Sequence, residues 1–326
     1  MPYHEKIRVG VLRGGPSPEY EISLKTGAQV LQHLPERYAP VDIFIDRSGE
    51  WHIGGTVHKP HRALIKADVF FNALHGSYGE DGTLQHFLET HAVPFSGSGT
   101  LACALSQSKP MAKRILERAG IQTPRSKVLR AEESSGIAAL AAAVFRSFPQ
   151  PSVVKPVRGG SSIATALVQT PFELEVALEE IFRDSGEALI EEYIAGREAA
   201  CGAIEDFRGQ KLYTLLPAEV TLPPESRFHD YYAKYSGAGS FAAPGDFSQS
   251  EKEELQDLAR QIHTILGLRH YSHSDFIVNP RRGIFFLEVD ALPTLTEHSI
   301  LPHALSAVGS SMPEFLEHVI SLALKR

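Results

Sequence analysis

Along the first third of the chain a short apolar run ends in glycine and a helix-patterned segment follows, and the unit then repeats. IRVGVL (7–12) breaks at Gly14 and Gly15. Ser17 then offers an N-cap with Pro18 at the first helical position. Tyr20, Leu24, Ala28 and Leu31 continue at helical spacing and give one apolar face. VFFNAL (69–74) ends at His75-Gly76, and a third apolar segment ends at SGSG (96–99). Strand, glycine turn and helix in alternation predict a parallel open sheet, hence an α/β fold. A helix over 110–119 stops at Gly120 and an extended stretch follows, so a first domain boundary is expected near residue 105.

The middle third changes character. An Ala-rich helix (136–145) leads to the strand SVVKP and a Gly/Ser loop, RGGSS. Thr170-Pro171-Phe172-Glu173 is a capping box with proline at the first helical position, opening a helix over FELEVALEEIF. The strands ALIEEYI and EAACGAIED come next, then a polar stretch (223–248) too long for a mere connector, for which a lid or binding function is expected. Leu255, Leu258, Ala259 and Ile262 share one face of a later helix. A chain of 326 residues has room for two or three domains. Its net charge of −7 argues against a general nucleic-acid or anionic-membrane surface. Cys103 and Cys201 lack metal-ligand spacing, which disfavours structural zinc or a disulfide framework. The opening MPYHEKIRV has no signal-peptide core and no apolar run reaches membrane-spanning length, so a cytoplasmic location is expected.

Chemistry concentrates near the C-terminus. HSDFIV (273–278) and FFLEVDALPTLTEHS (285–299) set Asp275, Glu288 and Asp290 at the ends of consecutive apolar runs. Glu288 and Asp290 have the period-two spacing that puts both on one face of a strand. Acids on an otherwise apolar strand are costly to bury without a partner. A hard cation is the natural one, because Mg²⁺ takes one or two carboxylates plus phosphate oxygens. Together these features point to a nucleotide.

Other segments carry two readings each. GSGTLA (97–102) fits the G-x-G-x-x-A dinucleotide spacing, but it does not open the first strand–helix unit and no ribose-binding acid follows. No G-x-x-x-x-G-K-S/T segment is present, which removes the classical phosphate loop. Lys109 and Lys155 read either as solvated charges or as phosphate ligands. Lys155 lies in an apolar strand, where a cation needs an anionic partner, just before RGGSS. Glu191 and Glu198 bracket the turn YIAGR and are either plain strand-end acids or acceptors for an adenine amino group and ribose hydroxyls. HGSYGEDGT (75–83) joins a strand-end histidine to glycines and acids, as at ligand sites of open α/β sheets.

Taken in order, GGPSPEYEIS, HGSYGEDGTLQ, GSG followed by Lys109, VKPVRGGSS, IEEYIAGRE, FHDYYAKY, SDF and EVDALPTLTEHS resemble the D-alanine–D-alanine ligase family of ATP-grasp enzymes over nearly the whole chain. The resemblance implies an N-terminal Rossmann-like substrate domain (1–105), a central ATP-grasp lid domain (106–195) and a C-terminal catalytic domain (196–326), α+β in its last part. It implies ATP and Mg²⁺ (or Mn²⁺) as cofactors, small amino-acid substrates, a homodimer and a role in peptidoglycan precursor synthesis. The expected reaction is phosphorylation of one amino acid's carboxylate and attack on the acyl phosphate by the amine of a second.

By position, Glu19 matches the acid that orients the first substrate's ammonium, and Ser161 and Tyr235 match its hydrogen-bond partners. His75 matches a histidine lining the first-substrate pocket. Lys109, Lys155 and Lys234 match the phosphate-binding lysines, Glu191 and Glu198 the adenine and ribose acceptors, and Phe228 the ring packed on adenine. Asp275, Glu288 and Asp290 match the metal ligands, while Ser299 with Lys234 matches the group receiving the second substrate's carboxylate.

The pattern breaks at His273, where the family has an arginine that stabilises the tetrahedral intermediate and the transferred phosphate. It breaks again at Asp290-Ala291 for Asn-Thr, at Thr294 for a glycine beside the second substrate, and at Ser108 for an aspartate. Alternatives therefore accompany the D-alanine ligase reading. The second substrate is a D-hydroxy acid or another amino acid, or the chain binds nucleotide with weakened catalysis.

Overall fold

The glycine-punctuated pattern builds the first sheet of a computed structural model that describes residues 6–133, 136–159, 164–221 and 240–325. Strands β1 (Ile7–Gly14), β2 (Tyr38–Ile45), β3 (Trp51–Ile53), β4 (Thr56–His58) and β5 (Val69–Asn72) lie in the order β4-β3-β2-β1-β5. β1 pairs in parallel with β2 and β5, as expected from the crossover helix α1 (Tyr20–His33). The far edge is an antiparallel hairpin of β3 and β4 that the pattern did not announce. The apolar segment before SGSG adds only a parallel bridge between Phe70 and Phe95.

Ser17 does not cap α1. The helix begins at Tyr20 with Glu19 at the N-cap, and Ser17 Oγ instead accepts the Glu19 N–H at 2.9 Å. The turn this makes holds the Glu19 side chain at the helix mouth, almost out of solvent. Helices α2 (Pro60–Leu64), α3 (Thr83–Thr90), α4 (Thr100–Gln107) and α5 (Lys109–Arg118) follow, the last two meeting almost end to end at Ser108.

The central sheet runs β6-β9-β7-β8, from β6 (Ser126–Arg130), β7 (Ser152–Pro156), β8 (Ala166–Val168) and β9 (Glu187–Glu192), antiparallel throughout. Helices α6 (Ile137–Ser147) and α7 (Pro171–Asp184) cover it and share a core with it through Leu140, Val144, Leu174 and Leu178. The capping box forms as expected: Thr170 Oγ1 accepts the Glu173 N–H and the Glu173 carboxylate takes the Thr170 N–H.

The third sheet contains β10 (Arg197–Glu205), β11 (Leu212–Thr214), β12 (Ala218–Thr221), β13 (Ser240–Ala242), β14 (Tyr271–Asn279) and β15 (Gly283–Asp290). Its order is β13-β12-β10-β14-β15, with β11 also on β10. Part of the expected polar loop is thus strand β13, and residues 222–239 lie outside the described residues. Beneath this sheet α8 (Gln249–Ile265) presents Leu255, Ala259 and Ile262, which pack with Phe276, Phe286 and with Ala112 and Leu116 of α5. Helices α9 (Ile300–Ala307) and α10 (Met312–Leu324) complete the chain. Phe315, Leu316, Val319 and Ile320 of α10 join Val9, Val11 and Phe71 of the first sheet in one core, so chain beginning and end are packed together.

The glycine run at 97–99 serves this packing. Gly97 has φ +90°, and a Cβ there would lie 2.7 Å from Leu292 Cδ2, while its N–H donates to His270 Nδ1 at 3.0 Å. The resemblance to a dinucleotide fingerprint therefore reflects close approach of two parts of the chain.

Candidate active site

The acids at the C-terminal strands come together by register. In the antiparallel pair β14–β15, Asp275 stands opposite Glu288 and His273 opposite Asp290. Because the side-chain period is two, all four share one face. On the other neighbour, β10, Glu198 stands opposite Ile277, which puts Glu198 on that face as well. The reverse face carries Phe276 and Phe286 into the core over α8; Phe286, two residues before Glu288, reaches that face through a register shift between the strands after Asp275. The three carboxylates are strung along the strands with Glu288 in the middle, rather than gathered around one point. Such a row of half-buried hard oxygens fits Mg²⁺ or Mn²⁺ ions that also take phosphate oxygens and water. His273 Nε2 is 3.7 Å from Asp275 Oδ1.

One lysine approaches this row, and a second lies in a buried ion pair on β7. Lys109, the first residue of α5, is nearly buried, with Nζ 3.6 Å from Glu288 Oε2 and donating to the Gly159 carbonyl. Lys155, on β7, pairs with Glu191 of β9 at 2.8 Å. The other oxygen of Glu191 meets Lys113 Nζ, also at 2.8 Å. A buried Lys–Glu–Lys triad results. Burial by itself would raise the Glu191 carboxyl, but the two lysines reverse this and hold it below the usual carboxylate range. Burial pushes the Lys113 ammonium down in spite of Glu191. Both oxygens of Glu191, expected to face an adenine, are thus engaged by lysines.

A second buried cluster lies where the first sheet meets α1. Glu19 faces Gly76, where a Cβ would come within 3.0 Å of Glu19 Oε2 and 2.3 Å of Ser17 Oγ. At φ +74° Gly76 suits this turn twice over, in backbone and in space. His75 contacts Glu80 Oε1 through Nδ1 at 2.9 Å and Thr26 Oγ1 through Nε2 at 2.8 Å. Burial, and then the Glu80 charge, push Glu19 up to about 8. Burial likewise pushes Glu80 up to about 8, and it pushes His75 down. Two buried acids that resist ionisation make a pocket in want of a cation.

Thr294 is half-buried in the segment after β15. Ser299 is buried at the N-cap of α9, its Oγ accepting the Thr296 N–H at 3.1 Å. Ser161, Phe228, Lys234 and Tyr235 lie outside the described residues.

The sequence matches the families described as D-ala D-ala ligase C-terminus over residues 115–321 and D-ala D-ala ligase N-terminus over residues 8–63 and 56–98. It is 34% identical to the D-alanine–D-alanine ligase of Geotalea uraniireducens over 97% of this chain and 95% of that protein.

The chain belongs to the D-alanine–D-alanine ligase family.

As a family member it is an ATP-dependent carboxylate–amine ligase with the ATP-grasp fold. A solved D-alanine–D-alanine ligase from Coxiella burnetii superposes with TM-score 0.82 at 26% identity, covering 99% of this chain and 95% of that one. The VanG D-Ala:D-Ser ligase from Enterococcus faecalis superposes with TM-score 0.84 at 29% identity, covering 98% and 100%.

Sequence reasoning passed over Lys113, Thr26 and Gln107, and did not single out Glu80 from its motif. Lys113 had a visible signal, since it shares the buried face of α5 with Ala112 and Leu116, where a lysine is out of place. Gln107 and Thr26 had none, because their partners are distant in sequence.

Proposed function

We propose that this ligase joins two D-alanine molecules, converting ATP to ADP and phosphate, in the synthesis of a peptidoglycan precursor. The carrying observation is that the acid row, Lys109 and the buried Glu19–His75–Glu80 pocket adjoin one another: the Asp290 charge reaches both Glu19 and His75. On this reading the cleft lies between the domains assigned above as 1–105, 106–195 and 196–326.

Glu19 takes the ammonium of the first D-alanine, which supplies a direct counter-charge and turns the substrate's carboxylate toward the acid row. That carboxylate attacks the γ-phosphorus, the bond to the β,γ-bridging oxygen breaks, and ADP leaves. The amine of the second D-alanine then attacks the acyl carbon, phosphate departs with the C–O bond, and the nitrogen loses a proton. Asp275, Glu288 and Asp290 would hold Mg²⁺ or Mn²⁺, whose chemistry is neutralisation of phosphate charge. Lys109 and Lys155 add positive charge there, and Glu191 holds Lys155 in place rather than meeting the base. Glu198 on the polar face accepts from the ribose, with Phe228 on the adenine. Thr294 and Ser299 frame the second substrate, and Lys234, Ser161 and Tyr235 keep the roles that the family resemblance implies for them. A cytoplasmic homodimer suits this role, and no helix among the described residues is long and apolar enough to cross a membrane.

ADP release is to be measured with D-alanine alone, then with D-serine, D-lactate and other acceptors added. Turnover with D-alanine alone is expected. Turnover only with an added acceptor replaces the second substrate, a reading that Thr294 at the acceptor site and the D-Ala:D-Ser neighbour make specific. Mg–ATP binding without any turnover overturns both ligase readings in favour of a nucleotide-binding homologue.

A further inference from the structure

Gln107, the last residue of α4, touches two elements that are otherwise separate. Its Nε2 donates to Glu80 Oε2 at 2.6 Å, and its Oε1 accepts the Gly159 N–H at 3.0 Å. Only one orientation of the amide satisfies both contacts, since a carboxylate accepts and a backbone N–H donates. Glu80 continues the path to His75 and His75 to Thr26, on the wall of the first-substrate pocket. Gly159 continues it the other way, for its carbonyl takes the ammonium of Lys109, which in turn faces Glu288 at 3.6 Å. Gly159 also stands close behind Lys155 on the same stretch of chain, and the Lys109 N–H donates to the Val157 carbonyl at 3.1 Å. An unbroken series of polar contacts thus runs from Thr26 to the acid row, and the Gln107 side chain carries it across the α4–α5 joint.

We infer that Gln107 is a positioning residue that couples the first-substrate pocket to the nucleotide site, by tying Glu80 to the backbone of the segment after β7. Anything that fixes Gly159 and Lys109, as a bound triphosphate does, fixes Gln107 and through it the placement of Glu80 and His75. Binding of one ligand then lowers the ordering cost of the other, and by linkage the effect is reciprocal. The inference rests on the ligase reading, because it takes D-alanine as the occupant of the Glu19 pocket.

The test is calorimetric titration of the full-length protein with D-alanine, with and without AMP-PNP and Mg²⁺, and the converse titration. Gln107→Met keeps length and volume but removes both contacts, and Gln107→Glu, titrated above pH 8 where Glu80 is ionised, keeps the acceptor for Gly159 while opposing Glu80. Wild type is expected to bind D-alanine about tenfold more tightly with the nucleotide analogue present, the scale of two net hydrogen bonds. Gln107→Met should bring that ratio near one, with each ligand's separate affinity changed less than about threefold, and Gln107→Glu should behave alike. A melting temperature within a few degrees of wild type would show that the fold is intact. Coupling retained in Gln107→Met, or absent in wild type, overturns the inference while leaving the ligase reading standing. Failure of wild type to bind D-alanine at all overturns both.

Discussion

Replacing Glu191 by glutamine should destabilise the ligand-free protein far more than replacing Lys113 by methionine. In the triad the carboxylate lies between two ammonium groups at 2.8 Å each, with side-chain exposures of 2% for Lys113, 3% for Glu191 and 9% for Lys155. Glu191→Gln conserves shape but leaves two buried cations facing each other without a counter-charge. Removing one partner of a buried pair costs about 3–5 kcal/mol. Lys113→Met removes a charge that burial already disfavours and leaves the Glu191–Lys155 pair balanced, so its cost is nearer that of one contact, about 1 kcal/mol. The difference should be at least about 2 kcal/mol, readable in urea denaturation as a separation of midpoints of roughly 1 M. The deficit of Glu191→Gln should also shrink as pH rises. Burial already holds Lys113 below its unfolded value, and loss of the Glu191 charge lowers it further, so the unfolded state binds more protons and the variant's stability climbs toward pH 10. If Lys113→Met is as damaging as Glu191→Gln, or the deficit ignores pH, the triad is not held as described.

The Glu19–Glu80 pair sets a second pH dependence, of opposite sign. With pKa values raised to about 8, both acids keep protons that the unfolded chain releases, so their stabilising contribution is full below the usual carboxylate range and is lost as pH rises through about 8. Melting of the ligand-free protein should fall between pH 6 and 9 and fall less steeply in Glu80→Gln; equal slopes would refute the assignment. Gly76→Ala should cost at least about 1–2 kcal/mol for its left-handed backbone and weaken D-alanine binding about tenfold or more by displacing Glu19; titration calorimetry at wild-type affinity would count against it. His273→Arg should raise the rate of ADP release at least about tenfold, if a permanent cation is what the polar face lacks. An unchanged or lower rate would mean the site is rebuilt around histidine.

The placement of the three acids at strand ends was readable because its signal is local. Glu288 and Asp290 lie two apart, and regular strand alternation puts them on one face. The capping box at Thr170 and the parallel pairing around β1 were legible for the same reason: cap chemistry and strand–helix alternation act over a few residues. Ser17 misled because its hydroxyl can serve a turn as well as a helix end, and the turn won three residues before the helix began. The two lysines that meet Glu191 were not legible, because a strand-end acid carries no mark of what will stand opposite it.

By itself, then, the sequence determined the alternation of elements, the shared face of the acids and, through its motifs, the family. The tertiary structure decided who meets whom. Lys113 reaches Glu191, Gln107 joins Glu80 to Gly159, and α10 closes the core of the first sheet. These depend on distant register and on the joint between α4 and α5, which no periodicity encodes. Burial then does the rest: once such groups are taken out of water, each charge and donor is worth several times what it is at the surface.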